Sequence, residues 1–393
     1  MEAERIGVGL VSVGWMGKLH ARAYRAAAQH FPDLPKQAEL VAAADVEEGG
    51  RAHAVDVLGF REAVSDYRRV LRHPGVDVVS ICAPNALHHE MAMGAVAAGK
   101  PFWIEKPAGR SVLETRAIAV AAAEAGLVTA VGFNYRHAPA VGRARELVRS
   151  GALGTITNVR VSLLADYAAD PDAALTWRFT RAGAGSGVLG DLLCHGIDLA
   201  QWIAGRVSDV AGTTAAYIPQ RPLPASASAG GTEQTAVLGS VENEDYAAAV
   251  VRFDSGARGT VEASRIAVGP RAEYVLEVYG TTGSLRWNFE RLNELQYADS
   301  RDGYRTILAG PGFPDFSAFQ PGAGTGMGFD DLKTIEASLF LRSVAEGRQL
   351  APSVADAWSA AEVVEAIQRS DAAGAWLPVP ADGVGEGLRP ISL

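Results

Sequence analysis

The stretch Ile6-Gly7-Val8-Gly9-Leu10-Val11 is followed at once by Ser12-Val13-Gly14-Trp15-Met16-Gly17. The first six residues are apolar and predict a short buried strand, whereas the Ala-rich residues 18–29 predict a helix beyond the glycines. A strand, a glycine turn and a helix form an anion site, because glycine lets the backbone approach a pyrophosphate and the helix N-terminus supplies N–H donors. The stretch therefore predicts a dinucleotide-binding α/β domain.

Strand and helix patterns continue to alternate after this turn. Such alternation is typical of a parallel sheet that is covered by helices on both faces. We therefore expect a nucleotide-binding domain over residues 1–134. The predicted strands lie at 39–44, 76–83, 102–105 and 128–133, and the predicted helices at 51–58, 87–98 and 112–125.

The pattern changes beyond residue 134, and we expect a second domain over residues 135–393. Two hairpins are predicted, one around the turn at 254–256 and one around the turn at 281–283. Residues 222–240 and 310–328 are rich in small residues, Gly and Pro, and predict loops. The predicted helices lie at 143–150, 188–204, 329–346 and 356–370, and a further strand lies at 155–164.

Composition argues against several classes of function. The 393 residues suffice for two domains. Thirty-six Lys and Arg against 45 Asp and Glu give a net charge of −9, which argues against nucleic acid as a partner. Two cysteines, Cys82 and Cys194, argue against a disulfide scaffold or a zinc ribbon. Because the sequence has no signal-peptide pattern and no apolar run of roughly 18 residues, we expect a cytoplasmic protein without a membrane partner.

The acidic residues after the second strand predict the choice of cofactor. Asp45 ends that strand, where a carboxylate can accept hydrogen bonds from both ribose hydroxyls of a dinucleotide. Together with Glu47 and Glu48 it would repel a 2′-phosphate, so the sequence favours NAD over NADP. The alternative is a plain strand–helix turn with an exposed acid, since Ser12 stands at the first position of the glycine motif.

Polar residues follow three other predicted strands at the edge where ligands bind in open α/β sheets. Lys106 stands at this edge, although a surface lysine is the common alternative. His88 opens a helix, where an N-cap or surface role competes with a cofactor contact. The residues in question are Pro84, Asn85 and His88 after one strand, Glu105 and Lys106 after the next, and Asn134, Tyr135 and Arg136 after the last.

The predicted helix 188–204 has an unusual polar face. Asp191, His195, Asp198 and Trp202 share one side of it, opposite an apolar side. An imidazole can take a hydroxyl proton while hydride leaves the same carbon, and a nearby carboxylate can orient it. A solvated face is the alternative. Residues 177–178, Trp-Arg, precede this helix and are equally consistent with a ligand contact and a loop anchor. No residues at known zinc spacings accompany this group, and no metal is expected.

The sequence resembles the Gfo/Idh/MocA family of sugar and polyol dehydrogenases along nearly its whole length. The resemblance implies an N-terminal Rossmann domain and a C-terminal α/β domain with a large open, mostly antiparallel sheet that is often used for dimer or tetramer contacts. Two positions depart from the family, namely Ser12 in the glycine motif and Leu193 inside Asp-x-Gly-x-His. The matching stretches are 9–20, 83–88, Glu105-Lys106-Pro107, 132–136, 187–198, 331–336 and 352–356.

The resemblance also implies roles for individual residues. His195 would be the acid/base, Lys106 would polarise or deprotonate the reacting hydroxyl, and Asp191 would fix the substrate. Cofactor contacts are expected from Ser12, Gly14, Trp15, Met16, Gly17, Asp45, Pro84, Asn85, His88, Glu105, Lys106, Asn134 and Arg178. Substrate contacts are expected from Lys106, Tyr135, Arg136, Trp177, Asp191 and His195.

These residues predict an NAD-dependent dehydrogenase that oxidises a secondary alcohol of a cyclic polyol, sugar or glycoside to a ketone. Inositol-like and anhydrosugar substrates are equally open. One alternative is an enzyme that holds NAD(H) tightly through a redox-neutral cycle, and another is a non-catalytic nucleotide-binding regulator. We expect a homodimer or homotetramer, because Val275, Leu276 and Val278 would lie exposed on an open sheet.

Overall fold

The computed structural model describes residues 4–224 and 237–380. Its first sheet has six strands in the order β3-β2-β1-β4-β5-β6, and every pairing is parallel. The strands are β1 (Arg5–Val11), β2 (Gln37–Ala44), β3 (Glu62–Val64), β4 (Val78–Ile81), β5 (Phe102–Ile104) and β6 (Thr129–Val131). The helices between them are α1 (Trp15–His30), α2 (Glu48–His53), α3 (Tyr67–Arg72), α4 (Asn85–Ala97) and α5 (Val112–Glu124).

The strand order of this sheet places a ligand crevice. After β1 the chain builds outward on one side through β2 and β3, and then returns to the other side with β4. Ligands of doubly wound sheets bind outside the carboxyl ends of the strands at such a reversal. The predicted parallel sheet is confirmed, although β3 and α3 were not predicted.

The second sheet has nine strands in the order β16-β15-β14-β13-β7-β12-β11-β8-β17, and only the β7–β12 pair is parallel. The expected large, mostly antiparallel sheet is thus confirmed, with both predicted hairpins in place. Its strands are β7 (Ile156–Leu164), β8 (Val207–Ala215), β11 (Tyr246–Phe253), β12 (Arg258–Ser264), β13 (Glu273–Gly280), β14 (Gly283–Asn288), β15 (Glu294–Asp299), β16 (Arg305–Leu308) and β17 (Leu377–Pro378). A separate small hairpin pairs β9 (Gln220–Pro222) with β10 (Leu238–Ser240).

Helices of the second half pack on both sheets. The helices are α6 (Pro139–Arg149), α7 (Arg181–Ala184), α8 (Cys194–Ala204), α9 (Phe329–Glu346) and α10 (Val354–Ala373). Helices α8 and α10 cover one face of the nine-stranded sheet, whereas α9 packs along α1. Ile335 and Phe340 of α9 share a core with Leu10 and Trp103 of the first sheet. The helix thereby brings residues from late in the chain beside the nucleotide crevice, while the boundary near residue 134 stays a prediction.

The three strand residues from which we expected an oligomer are not exposed. Val275, Leu276 and Val278 are buried in β13, because the strand lies between β7 and β14 in the middle of the sheet. Our expectation of an apolar patch at these residues was wrong. The predicted loop at 222–240 falls largely outside the described residues. In the part of the chain that is described, no helix is long and apolar enough to cross a membrane.

Candidate active site

The glycine turn between β1 and α1 has the shape of an anion site. Ser12 adopts a left-handed conformation with φ of 73°, and its N–H donates to the Ala44 carbonyl over 2.8 Å. A Cβ on Gly17 would lie 2.0 Å from the Ser12 carbonyl oxygen, so only glycine lets α1 begin this close to the turn. Gly14 is the N-cap of α1 and supplies no side chain to cap it. The first N–H groups of α1 can therefore bind a phosphate oxygen.

Asp45 is tied to this turn by its own carboxylate. Oδ2 accepts the N–H of Val13 over 2.7 Å, and Oδ1 accepts the N–H of Glu47 over 2.9 Å. Both contacts hold the carboxylate at the carboxyl end of β2 and leave lone pairs on each oxygen for further donors. The turn and the acid fit a pyrophosphate with an adjacent ribose that carries free hydroxyls.

Lys106 and Asp191 meet although they come from different halves of the site, one from the end of a strand and one from a helical turn. Lys106 lies two residues beyond the end of β5, and its Nζ donates to the Asp191 carbonyl oxygen over 2.6 Å and to Oδ1 over 3.0 Å. The hydroxyl of Tyr167 donates to Oδ2 of the same carboxylate. An ammonium, a carboxylate and a phenol thus form one hydrogen-bonded group at the edge of the crevice.

A π-helical turn over residues 189–193 explains how Asp191 offers two acceptors at once. The sequence predicted one continuous helix from 188 to 204, but the α-helical part starts only at Cys194. A π turn shifts backbone carbonyls away from the regular i→i+4 ladder, and such turns are frequent at functional sites. Here the Asp191 carbonyl and its side chain both receive the Lys106 ammonium.

His195 lies in an aromatic pocket next to this group. Its ring centroid is 4.7 Å from that of Tyr135 and 5.7 Å from that of Phe133, both in edge-on contacts. The residue is only 5% exposed. Within the described residues, buried Nδ1 of His195 has no hydrogen-bond partner. Nε2 is therefore the nitrogen that can meet a substrate.

Burial and charge set the protonation states of these three groups. Burial raises the pKa of Asp191, but the Lys106 charge and the Tyr167 hydroxyl outweigh it and hold that pKa well below its usual value. Burial lowers the pKa of Lys106, but the Asp191 charge outweighs it and raises that pKa above its usual value. Burial, aided by the Lys106 charge, lowers the pKa of His195 well below 6.5. The site therefore holds an ammonium, a carboxylate and a neutral imidazole at pH 7.

Several residues expected to touch the cofactor direct their side chains into the protein instead. The two ring nitrogens of His88 lie 2.8 Å from the Pro107 carbonyl and 2.7 Å from the Ala83 carbonyl. Asn85 donates to the Ala184 carbonyl over 3.2 Å, and the carboxylate of Glu105 is buried against His20. These side chains fix the loops around the crevice. The Nδ2 of Asn134 is also buried and has no hydrogen-bond partner among the described residues.

The remaining candidate residues lie in different environments around the crevice. It does not bring Arg136 to the ligand side, because Nε donates to Asp198 over 2.7 Å and the guanidinium also donates to Asp356 over 2.8 Å. Asp198, which the sequence placed on the face of His195, is thereby a structural partner. Arg178 stacks on Trp177 at 4.4 Å and acts on Asp191 through its charge. Pro84 is the N-cap of α4, and Met16 is half-buried in the glycine turn.

Three aromatic residues that the sequence analysis missed, Tyr274, Phe289 and Phe329, join Trp15 and Tyr135 in the space between the turn and His195. Trp15, 68% exposed, stacks on Phe329 with centroids 5.9 Å apart. Phe289 packs edge-on against both Phe329 and Tyr135, and Tyr274 lies 5.3 Å from Tyr135. No local pattern marks these residues, because they converge from α9, β13 and a short turn. Leu193, a departure from the family motif, packs in the core and is completely buried.

Comparison with known proteins agrees with this geometry. Residues 6–133 match the model of an oxidoreductase family with an NAD-binding Rossmann fold, and residues 141–286 match the model of the GFO/IDH/MocA C-terminal domain. The fold and the site define an NAD-dependent oxidoreductase. More particularly, the chain belongs to the Gfo/Idh/MocA family, and the resemblance seen in the sequence is confirmed.

Individual relatives match over most of the chain. Levoglucosan dehydrogenase of Pseudarthrobacter phenanthrenivorans is 38% identical over 96% of this chain and 99% of its own length. A structure of levoglucosan dehydrogenase in complex with NADH and levoglucosan superposes with a TM-score of 0.91 at 37% identity, covering 96% of this chain and 100% of that one. The scyllo-inositol 2-dehydrogenase (NAD(+)) of Bacillus subtilis is 28% identical over 72% of this chain and 73% of its own length.

Proposed function

We propose that the protein oxidises a secondary hydroxyl of an anhydrosugar of the levoglucosan type to a ketone, with NAD as hydride acceptor. The observation that carries the chemistry is the neutral, buried imidazole of His195 beside an ammonium that Asp191 holds in place. Support for the substrate class comes from whole-length similarity to levoglucosan dehydrogenase, which exceeds that to the inositol dehydrogenases.

The charges of the site assign the proton-transfer roles. The contact with Asp191 keeps Lys106 protonated, so Lys106 acts as a hydrogen-bond donor and not as the base. Among the described residues, Asp191 takes up two of its three ammonium hydrogens, and the third can bind the substrate hydroxyl oxygen. There the positive charge stabilises the alkoxide character that develops as hydride leaves.

His195 is the base in this scheme. Its Nε2 accepts the hydroxyl proton, the C–H bond breaks with its electron pair as hydride, and the carbon becomes a carbonyl. Bound NAD supplies the nicotinamide C4 that accepts the hydride. The glycine turn and Asp45 bind the cofactor, and the aromatic residues around His195 exclude water from the reacting carbon.

The aromatic residues also support a cyclic, weakly polar substrate. Tyr135, Tyr274, Phe289 and Phe329 are in mutual ring contact next to His195. Aromatic rings pack well on the C–H face of a rigid bicyclic sugar, whereas a fully hydroxylated ring offers less apolar surface.

Initial rates of NADH formation test this proposal. Levoglucosan, glucose, myo-inositol and scyllo-inositol are each supplied with NAD, and kcat/KM for levoglucosan should exceed the others by at least about tenfold. A preference for an inositol would refute the substrate class. If NAD(H) instead stays bound through gel filtration and no net NADH forms while a glycoside is cleaved, the redox-neutral alternative is correct. NAD binding without turnover of any compound would favour a regulator.

We also propose that the chain works as a homodimer or homotetramer. Support comes from the outer side of the nine-stranded sheet, where Val250 and Trp376 line a shallow groove of about 700 Å³ and are both substantially exposed. A second copy packed on this groove would cover both apolar side chains. Light scattering at micromolar concentration should give a multiple of the 41.2 kDa chain mass, and a monomer mass would contradict the proposal.

A further inference from the structure

A buried group of charges lies directly beneath the catalytic lysine. Glu105 precedes Lys106, and its Oε1 accepts hydrogen bonds from Lys333 Nζ over 2.5 Å and from His20 Nε2 over 3.0 Å. Lys333 belongs to α9 and is 1% exposed. Its ammonium also lies 2.9 Å from Glu336, whose other oxygen accepts the indole N–H of Trp103. All of these side chains are buried.

Glu105 connects this group to the backbone of Lys106. Its second oxygen, Oε2, accepts the N–H of Lys106 over 3.3 Å. On the other side the carboxylate packs against Gly132, where a Cβ would lie 2.6 Å from either oxygen. The missing side chain at Gly132 therefore makes room for the carboxylate. Lys333, Glu105 and the Lys106 backbone form one continuous chain of contacts.

We propose that Lys333 is a positioning residue for the oxidation: by anchoring Glu105 from α9 it fixes the backbone at Lys106, so that the catalytic ammonium stays on Asp191. The expected effect of Lys333 on the reaction rate rests on the proposed function, in which Lys106 binds the reacting hydroxyl. The effect of Lys333 on the position of Lys106 does not depend on that function.

Energetics favour a positioning role over simple stabilisation. Two charges buried without solvent cost several kcal/mol, and a well-packed apolar pair is often as stable. The charged or titratable groups around Glu105 include Lys333 and Glu336 from α9, His20 from α1, Cys82 after β4 and the neighbouring Lys106, and its charge also reaches His88, Tyr135 and His195. Burial raises the pKa of Glu105, but the Lys333 charge and the His20 contact outweigh it and keep Glu105 ionised. A fixed ion pair gives a directional anchor that apolar side chains lack.

The chain is well suited to a direct test, because it contains only five lysines: Lys18, Lys36, Lys100, Lys106 and Lys333. With ¹³C at lysine Cε, NMR of the full chain without substrate should show five signals, and Lys106→Arg identifies that of Lys106. In Lys333→Met the Lys106 signal should move toward that of the half-exposed Lys36. If it keeps its position in folded Lys333→Met, the proposal is wrong.

Lys100 provides a matched control. It precedes β5 at the opposite end from Lys106, and its Nζ binds the Val76 and His73 carbonyls. Lys100→Met also removes a partly buried ammonium, but it should leave the Lys106 signal unmoved. If Lys333→Met does not fold, the variant Glu105→Gln/Lys333→Met removes both charges at nearly constant volume. A native Lys106 signal in that double variant would equally overturn the proposal.

Kinetics separate positioning from loss of active protein. In Lys333→Met, kcat for levoglucosan should fall at least about tenfold, because displacing a catalytic group by 1 Å can cost about 10²-fold. The deuterium isotope effect with ring-deuterated levoglucosan should rise as hydride transfer becomes slower. A lower kcat with an unchanged isotope effect would mean fewer active molecules and would contradict positioning. If the unaltered protein does not oxidise levoglucosan, the proposed function fails, and the NMR result still decides the role of Lys333.

Discussion

The Nζ atom of Lys106 lies 2.6 Å from the carbonyl oxygen of Asp191, across 85 residues of sequence. A second contact of 3.0 Å reaches Oδ1 of the same residue. Because the backbone carbonyl takes part, a change of the Asp191 side chain cannot release Lys106 completely. The two residues act as one unit in which Asp191 sets the position and charge of the ammonium.

Loss of either the base His195 or the hydrogen-bond donor Lys106 should abolish most turnover. Lys106→Ala and His195→Ala should each lower kcat by roughly 10²-fold or more, the usual effect of positioned acid–base groups. NAD affinity should change far less, because the turn and Asp45 bind the cofactor. Rates of NADH formation and a titration of NAD binding measure the two effects. His89→Ala is the control, whereas His20 is unsuitable because it contacts Glu105. Near-normal turnover in His195→Ala would exclude His195 as the base.

The pH dependence of oxidation should follow the imidazole of His195. Burial lowers its pKa well below 6.5, so the neutral, proton-accepting form persists as the pH falls below that value. We expect kcat/KM to stay constant from pH 8 down through about 6.5, the ordinary imidazole pKa, and to decline only at lower pH as the base is protonated. A pH–rate profile on levoglucosan checks this. An acid limb centred above 6.5 would contradict it.

Removal of the Tyr167 hydroxyl should leave the Asp191 carboxylate, which binds Lys106, less firmly positioned. Tyr167→Phe deletes the donor to Asp191 Oδ2. Hydrogen bonds to charged groups contribute about 1.5–3 kcal/mol, so kcat/KM should fall by roughly tenfold or more while the fold persists. The exposed Tyr217 offers the matched control Tyr217→Phe, which should behave like the unaltered protein. Equal kinetics for both variants would remove Tyr167 from the site.

Cofactor preference should depend on Asp45. NAD should bind at least tenfold more tightly than NADP, about 1.4 kcal/mol, because a carboxylate held by Val13 and Glu47 repels a 2′-phosphate. Asp45→Ala should reduce the difference between the affinities for NAD and NADP, whereas Glu48→Ala should leave most of that difference unchanged. Dissociation constants from NADH and NADPH fluorescence measure the effect. Equal affinities in the unaltered protein would refute the assignment.

The left-handed backbone conformation of Ser12 should lower the stability of the protein slightly. Its φ of 73° lies in the left-handed region, which costs a residue with a side chain about 1–2 kcal/mol, whereas glycine gives back about 0.4–1 kcal/mol through its freer unfolded chain. Ser12→Gly should therefore raise the free energy of unfolding by several tenths of a kcal/mol in urea denaturation. Ser12→Ala keeps the strain and should show no gain. Destabilisation by Ser12→Gly would show that the hydroxyl has a stabilising contact.

Much of the fold and part of the site could be predicted from sequence. Patterns such as β1, α1 and α9 were identified with nearly the observed bounds, but the nine-residue strand β8 was not predicted. Of the three-residue strands, β5 and β6 were predicted from their apolar residues, whereas β3, Glu-Ala-Val, was not. Helical spacing placed Asp191, His195 and Asp198 on one side of a single helix, but the π turn before Cys194 interrupts that helix, and the Asp198 carboxylate accepts a hydrogen bond from Arg136.

Local sequence by itself determined the parallel sheet, the glycine turn and the acid that follows β2. Apolar strand runs, the φ preferences of glycine and the position of Asp45 directly after a strand are all properties of adjacent residues. Only the tertiary structure decided which side chains face a ligand. Glu105 stands next to Lys106, yet it is buried under Lys333 from α9, while Tyr167 and Phe329 reach the site from loops and helices far along the chain. The direction of a side chain after a strand depends on what packs against it, and those partners lie from tens to hundreds of residues away in the sequence.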